Sequence, residues 1–136
     1  MSLETLKKGG NIMDIEISNE DSILNTIKKL IGGIDEDCED FDVDLLLHIN
    51  GVIFELQQIG VGPEEGFEVT SSVQRWIDYI QDTKLLSIVK PLMYMKVKMV
   101  FDPPTGSELE SMNRIIDRFE WRAQFEVEFN GSKEGG

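Results

Sequence analysis

Apolar residues recur at helical spacing in four stretches of the chain. In residues 19–31, Ile23, Leu24, Ile27, Leu30 and Ile31 fall on one stripe of a 3.6-residue repeat. Asn19, Asp21 and Ser22 are candidate caps, Lys28 and Lys29 suit the last turn, and Gly32-Gly33 is a stop signal. A second stretch runs from Asp42, a good capping residue, to Ile59, with Leu45, Leu46, Ile49, Val52, Ile53, Leu56 and Ile59 on a wide apolar face. A helix of this extent is about 26 Å long and is expected to be the central core helix, with Gly60 at its C-terminal turn.

The third stretch opens at Asp82 or Thr83 and reaches Phe101, through Leu85, Leu86, Ile88, Val89, Leu92, Met93, Val97 and Val100. Pro91 lies inside it. Proline removes one backbone hydrogen bond, so a kink is expected there. Asp102, Pro103 and Pro104 then form a stop, because residues before proline are driven from the helical region. Ser107 with Glu110 has the capping-box spacing and opens the fourth helix, with Leu109, Met112, Ile115, Ile116 and Phe119 on its stripe and Trp121 near its end. Together these residues make a hinge between two packed helices.

Two stretches follow another pattern. Gln124 to Asn130, QFEVEFN, alternates, with Phe125, Val127 and Phe129 facing one way, which predicts a short β-like arm. Residues 13–18, MDIEIS, and residues 67–73 are its candidate partners within the chain, and a neighbouring subunit is another. The intervening GVGPEEGFEVTSS reads as a loop, while VQRWIDYI fits either a helical turn or a strand. The fold class predicted is mainly α: a single-domain bundle of about four helices, its third kinked, with the C-terminal arm. Residues 19–129 form the domain. Residues 1–18 are expected to be a flexible segment, with MSL partly vector-like and Met13 a candidate natural start, and residues 130–136 a flexible tail.

Length and composition agree with one ordinary globular domain: 136 residues, 40% hydrophobic and 29% charged. The net charge of −13 is the exception. It opposes binding to nucleic acid or anionic lipid, which needs cations that displace counterions. A single cysteine, Cys38, excludes an intrachain disulfide and fits a reducing compartment. No stretch has the layout of a signal peptide or the apolar length of a membrane span.

Catalytic chemistry finds little support. Asp35 to Asp44 holds seven acids in ten residues, but a helix–loop–helix calcium site needs Gly at its sixth and Glu at its twelfth position, and Asp40 and Leu46 stand there. The acids read instead as a solvated loop feeding a helix N-terminus. His48 has no companions at metal-ligand spacing, and the acids around Cys38 oppose a thiolate nucleophile. No glycine run matches a phosphate-binding loop. Met93, Met95 and Met99 fit core filling or an adaptable binding surface. Arg114, Arg118 and Arg122 share a strip of the fourth helix, either solvated or paired with acids.

Two segments carry a family resemblance. SILNTIKKLIGGIDEDCEDFDVDLLLHINGVIFELQQIGVGPEEGF, with its acidic link, HIN at mid-helix and QIGVGP, resembles the opening of small head–tail connector, or head-completion, proteins of tailed bacteriophages and prophages. YMKVKMVFDPPTGSELESMNRIIDRFEWR, with its FDPP stop and EWR ending, resembles the same group. The likeness covers about residues 22–128, and Pro91 departs from the uninterrupted helix expected there.

The resemblance implies a virion protein assembled in the bacterial host cytoplasm. It would be a structural, non-enzymatic subunit of a homo-oligomeric ring, docking on the portal protein and meeting a tail or stopper protein. No cofactor and no membrane are implied. DNA would be a passing, repelled duplex, with Asp35, Glu36, Asp37, Glu39 and Asp40 as candidate channel-lining acids. Ring contacts are heterologous. One side is expected to use Arg114, Arg118, Arg122, Phe125, Val127 and Phe129. An acidic DNA mimic and a helical regulatory or interaction module are the alternatives at this point.

Overall fold

The computed structural model describes residues 17–135, with side chains described through residue 129. It contains five helices among those residues: α1 (Ile23–Ile31), α2 (Asp42–Gln58), α3 (Trp76–Tyr79), α4 (Thr83–Phe101) and α5 (Ser107–Gly135). Of the three capping candidates for α1, Ser22 takes the position, its Oγ accepting from the Asn25 N–H at 3.1 Å. Gly32, at φ +98°, ends the helix with a backbone bond back to Lys28. Asp42 is the first residue of α2 rather than its cap, and with Asp44 it puts negative charge in the first turn. Asp82 caps α4 through bonds from the Lys84 and Leu85 N–H groups.

The hub of the bundle is α4 rather than α2: it packs against α1, α2 and α5. Leu86, Val89, Leu92, Met93 and Val97 of α4 meet Leu45, Ile49, Ile53 and Leu56 of α2 and Ile23, Leu24 and Ile27 of α1 in one core, so the methionine at 93 fills the interior. Helix α4 runs through Pro91 without being divided into two pieces.

The β-like arm is corrected. Residues 124–130 continue α5 as helix, and among the described residues the only β pairing is an isolated antiparallel bridge between Ser22 and Arg75. No glycine or proline interrupts the chain between Ser107 and Asn130, and Met112, Ile116, Phe119, Ala123 and Val127 extend one inward stripe against α4. Packing along that stripe overrides the local alternation of FEVEF. Of the proposed partner strands, residues 67–73 are not strand, and residues 13–16 lie outside the described residues.

The undecided VQRWIDYI contains the four-residue α3. Trp76 is fully buried and donates from Nε1 to Thr26 Oγ1 at 3.1 Å, tying α3 to α1. Asn50 of α2 holds the preceding loop from both sides: Nδ2 donates to the Val69 carbonyl at 2.9 Å, and Oδ1 accepts from the Val69 N–H at 2.8 Å. Thus the final residue of HIN is a clasp. Gly62 in QIGVGP has φ +98°, and a Cβ there would stand 3.1 Å from the Tyr79 ring, so the turn needs glycine twice over.

Two lysines act as staples. Lys28, 1% exposed, lies 2.9 Å from Asp42 Oδ1 and 3.2 Å from the Glu36 carbonyl, fastening the acidic link to α1. Lys96 of α4 reaches Glu55 of α2 at 2.8 Å and Glu120 of α5 at 2.6 Å. Burial opposes its charge, but the bonds to both carboxylates prevail and raise its pKa.

Candidate functional site

The outer face of α5 carries an aromatic ladder. Trp121, Phe125 and Phe129 are spaced four apart, the period that stacks side chains on one helical face. Their rings lie nearly parallel: Trp121 and Phe125 have centroids 5.4 Å apart at 11°, and Phe125 and Phe129 are 6.3 Å apart at 15°. All three are at least half exposed, Trp121 at 63%. Arg114, Arg118 and Arg122 form the adjoining row and are exposed as well, with Arg114 donating to Ser111 Oγ at 3.3 Å.

The interface residues expected from the alternating pattern therefore divide. Phe125 and Phe129 remain together on the outer face, joined by Trp121. Val127, half-buried, turns onto the core. Trp121 was missed as a surface residue because the fourth helix was expected to end beside it. The i, i+4 spacing of 121, 125 and 129 was the available signal.

A second apolar surface lies on α2. Val43, Leu47 and Phe54 are exposed, the middle one at 69%, on the face opposite the core stripe. Gly51 sits between them. Beside it α2, α4 and α5 leave a shallow groove of about 320 Å³, lined by Leu47, His48, Gly51, Val100, Asn113 and Ile116 among others, with the Lys96–Glu55 pair at its edge. His48 meets the Phe101 ring edge-on at 6.4 Å. Glycine at the centre of a helix costs about 0.5–1 kcal/mol relative to alanine. The fold of the chain gives no reason for it at Gly51, whose φ is not positive and whose Cβ would meet nothing within 4 Å. Exposed large apolar side chains in two concentrated patches are a mark of interaction surfaces.

The proposed channel acids Asp35, Glu36, Asp37, Glu39 and Asp40 are all exposed on the α1–α2 link, behind which Lys28 is the anchor. The hinge residues occupy the α4–α5 corner. Asp102 bonds back to the Lys98 carbonyl at 2.9 Å and receives Lys98 Nζ at its own carbonyl at 3.1 Å. Pro103 and Pro104 follow, and Gly106 turns the chain at φ +63°. Ser107 is already the first residue of α5 and Glu110 lies exposed in the first turn, so Gly106 stands where Ser107 was expected as cap.

Among the described residues, no group of three or more His, Cys, Asp or Glu side chains is placed to hold a metal ion, and no helix is long and apolar enough to cross a membrane. The two exposed apolar faces are suited to protein contact. Searches of curated proteins and of solved structures give no match. A family model described as phage connector protein matches residues 23–130, a span that holds α1 to α4 entire and most of α5. The chain belongs to the phage connector protein family, whose members are structural components of the phage.

Proposed function

We propose that this chain is a subunit of a head–tail connector ring that docks below the portal and joins the DNA-filled head to the tail. The observation that carries the reading is the family match across residues 23–130. The geometry supports it in three ways. The chain is a helical bundle with its core shared by α1, α2, α4 and α5, cross-braced by Lys96. It bears two separate exposed apolar faces, as a heterologous ring contact requires. Five exposed acids, Asp35, Glu36, Asp37, Glu39 and Asp40, cluster on one tethered link, which would line a channel that DNA traverses without adhering. The portal protein on one side and a tail or stopper protein on the other are the partners this role implies.

Native mass across a wide concentration range, with negative-stain images of any large species, tests the ring. Closed rings with a central hole are the expected species. A tight dimer that never grows contradicts the reading. Replacing Asp35, Glu36, Asp37, Glu39 and Asp40 with Asn or Gln tests the lining. Slowed DNA ejection or faulty retention is expected, and unchanged behaviour removes the lining idea.

A further inference from the structure

Among the 13 cationic residues of this strongly acidic chain, three arginines gather in one row beside the exposed aromatic ladder of α5. The exposed apolar face of α2 has acids at its start, where Asp40 and Asp44 stand near Val43, while Glu55 at the rim of its groove is paired with Lys96 at 2.8 Å. The α5 face carries its arginines beside the rings, and the α2 face, Val43, Leu47 and Phe54, carries Asp40 and Asp44 at its start. They sit on different helices of the same subunit, so they complement each other between copies in a head-to-tail sense. Gly51 supplies an independent observation. The subunit's own packing leaves the space above it empty, and the helix is weaker for its presence. A glycine kept open on a helix surface suits close approach by another molecule.

We infer that the α5 ladder of one copy, Trp121 and Phe125 foremost, packs across Gly51 into the α2 groove of the next copy, with Arg114 and Arg118 facing Asp44 and Asp40. Asp117 and Glu128, also exposed on α5, border the contact. The inference rests on the ring reading and names the surfaces that would close it. The occupant is a second copy of this chain, because its own α5 presents exposed rings beside arginines, which complement the apolar groove and the acids at the start of α2.

Site-directed cross-linking of the full-length protein decides the matter. In a Cys38→Ser background, chains bearing Leu47→Cys are mixed with chains bearing Phe125→Cys and treated with a short bismaleimide, in solution and on portal-bearing heads. Circular dichroism checks that each variant is folded. Cross-linked dimers are expected from the mixture and not from either chain alone, with the yield falling at least five-fold on adding Trp121→Ala or raising the salt to 1 M. Gly51→Leu should lower the yield as strongly, while Gly51→Ala should melt higher than the parent yet cross-link less. Self-cross-linking of Phe125→Cys alone, or no product from the mixture in either setting, overturns the inference. Rings that persist unchanged in a Trp121→Ala, Gly51→Leu double variant also overturn it, while leaving the ring itself intact. Images of the wild-type protein judge the ring separately.

Discussion

Replacing Asn50 with alanine tests how the loop between α2 and α3 is held. The side chain satisfies both backbone groups of Val69, a residue 1% exposed, through bonds of 2.8 and 2.9 Å. Removing it leaves an N–H and a carbonyl with little access to water. An unsatisfied buried polar group costs about 1–3 kcal/mol, and the geometry is part-buried, so a loss of about 2–4 kcal/mol is expected. Against a total stability of about 5–15 kcal/mol for a domain, that is a large fraction. Urea unfolding followed by tryptophan fluorescence measures it, because Trp76 is buried in the core and reports its exposure, while Trp121 is already exposed. Hydrogen exchange should show the Val69 amide losing protection before the core helices do. Asn113→Ala, at an exposed position, serves as control and should stay within about 0.5 kcal/mol. A cost for Asn50→Ala no greater than that of the control would refute the clasp.

Three further outcomes follow from the same packing. Gly62→Ala forces a left-handed backbone on alanine and a contact 3.1 Å from the Tyr79 ring, so it should destabilise by about 1–3 kcal/mol in the same urea assay. Tyr79→Phe removes a buried hydroxyl with no partner among the described residues, and should be neutral or stabilising by about 1 kcal/mol. Burial pushes the Tyr79 phenol up, so above about pH 10 the unfolded chain binds fewer protons than the folded one and stability falls as pH rises; Tyr79→Phe should flatten that fall in alkaline melts. Lys96→Met should cost about 1 kcal/mol, chiefly through Glu120, since Glu55 is well exposed and its share is screened by solvent. The raised pKa of Lys96 means its contribution is complete below the ordinary lysine value of 10.5 and is lost as pH rises beyond it, so the variant should also lack that part of the alkaline decline.

Much of the helical skeleton was legible because strong local signals agreed with the packing. The stripe of Ile23, Leu24 and Ile27, the Ser22 cap and the Gly32 stop all favour the same short α1. Asp82 and the Asp102-Pro103-Pro104 stop likewise bracket α4, even with Pro91 inside it. The C-terminal arm was misread where two periods coexist. Phe125, Val127 and Phe129 alternate, but Phe119, Ala123 and Val127 also continue a helical stripe, and α4 offers that stripe a surface to bury against. A period-two pattern over seven residues carries no information about such a surface.

The candidate surfaces were legible only in part. The arginine row was visible from spacing alone, and two of the three ladder aromatics were singled out, though with the wrong neighbour. The α2 face of Val43, Leu47 and Phe54 was not, because a wide apolar helix face looks like core until the partners of each side are known. Lys28 was read as a cation at a helix end, whereas its burial beneath the acidic link depends on the path of residues 33–42, which no local pattern specifies.

The most direct test of a connector role uses DNA-filled, portal-bearing heads from an infection that lacks this protein. Purified full-length chain is added, unbound protein is removed, and the portal vertex is imaged by electron cryo-microscopy. A ring of density concentric with the portal, together with retained DNA and recovered tail joining, is the predicted result. Heads that show no added density at the portal vertex, or that join tails equally well without the protein, would contradict the account.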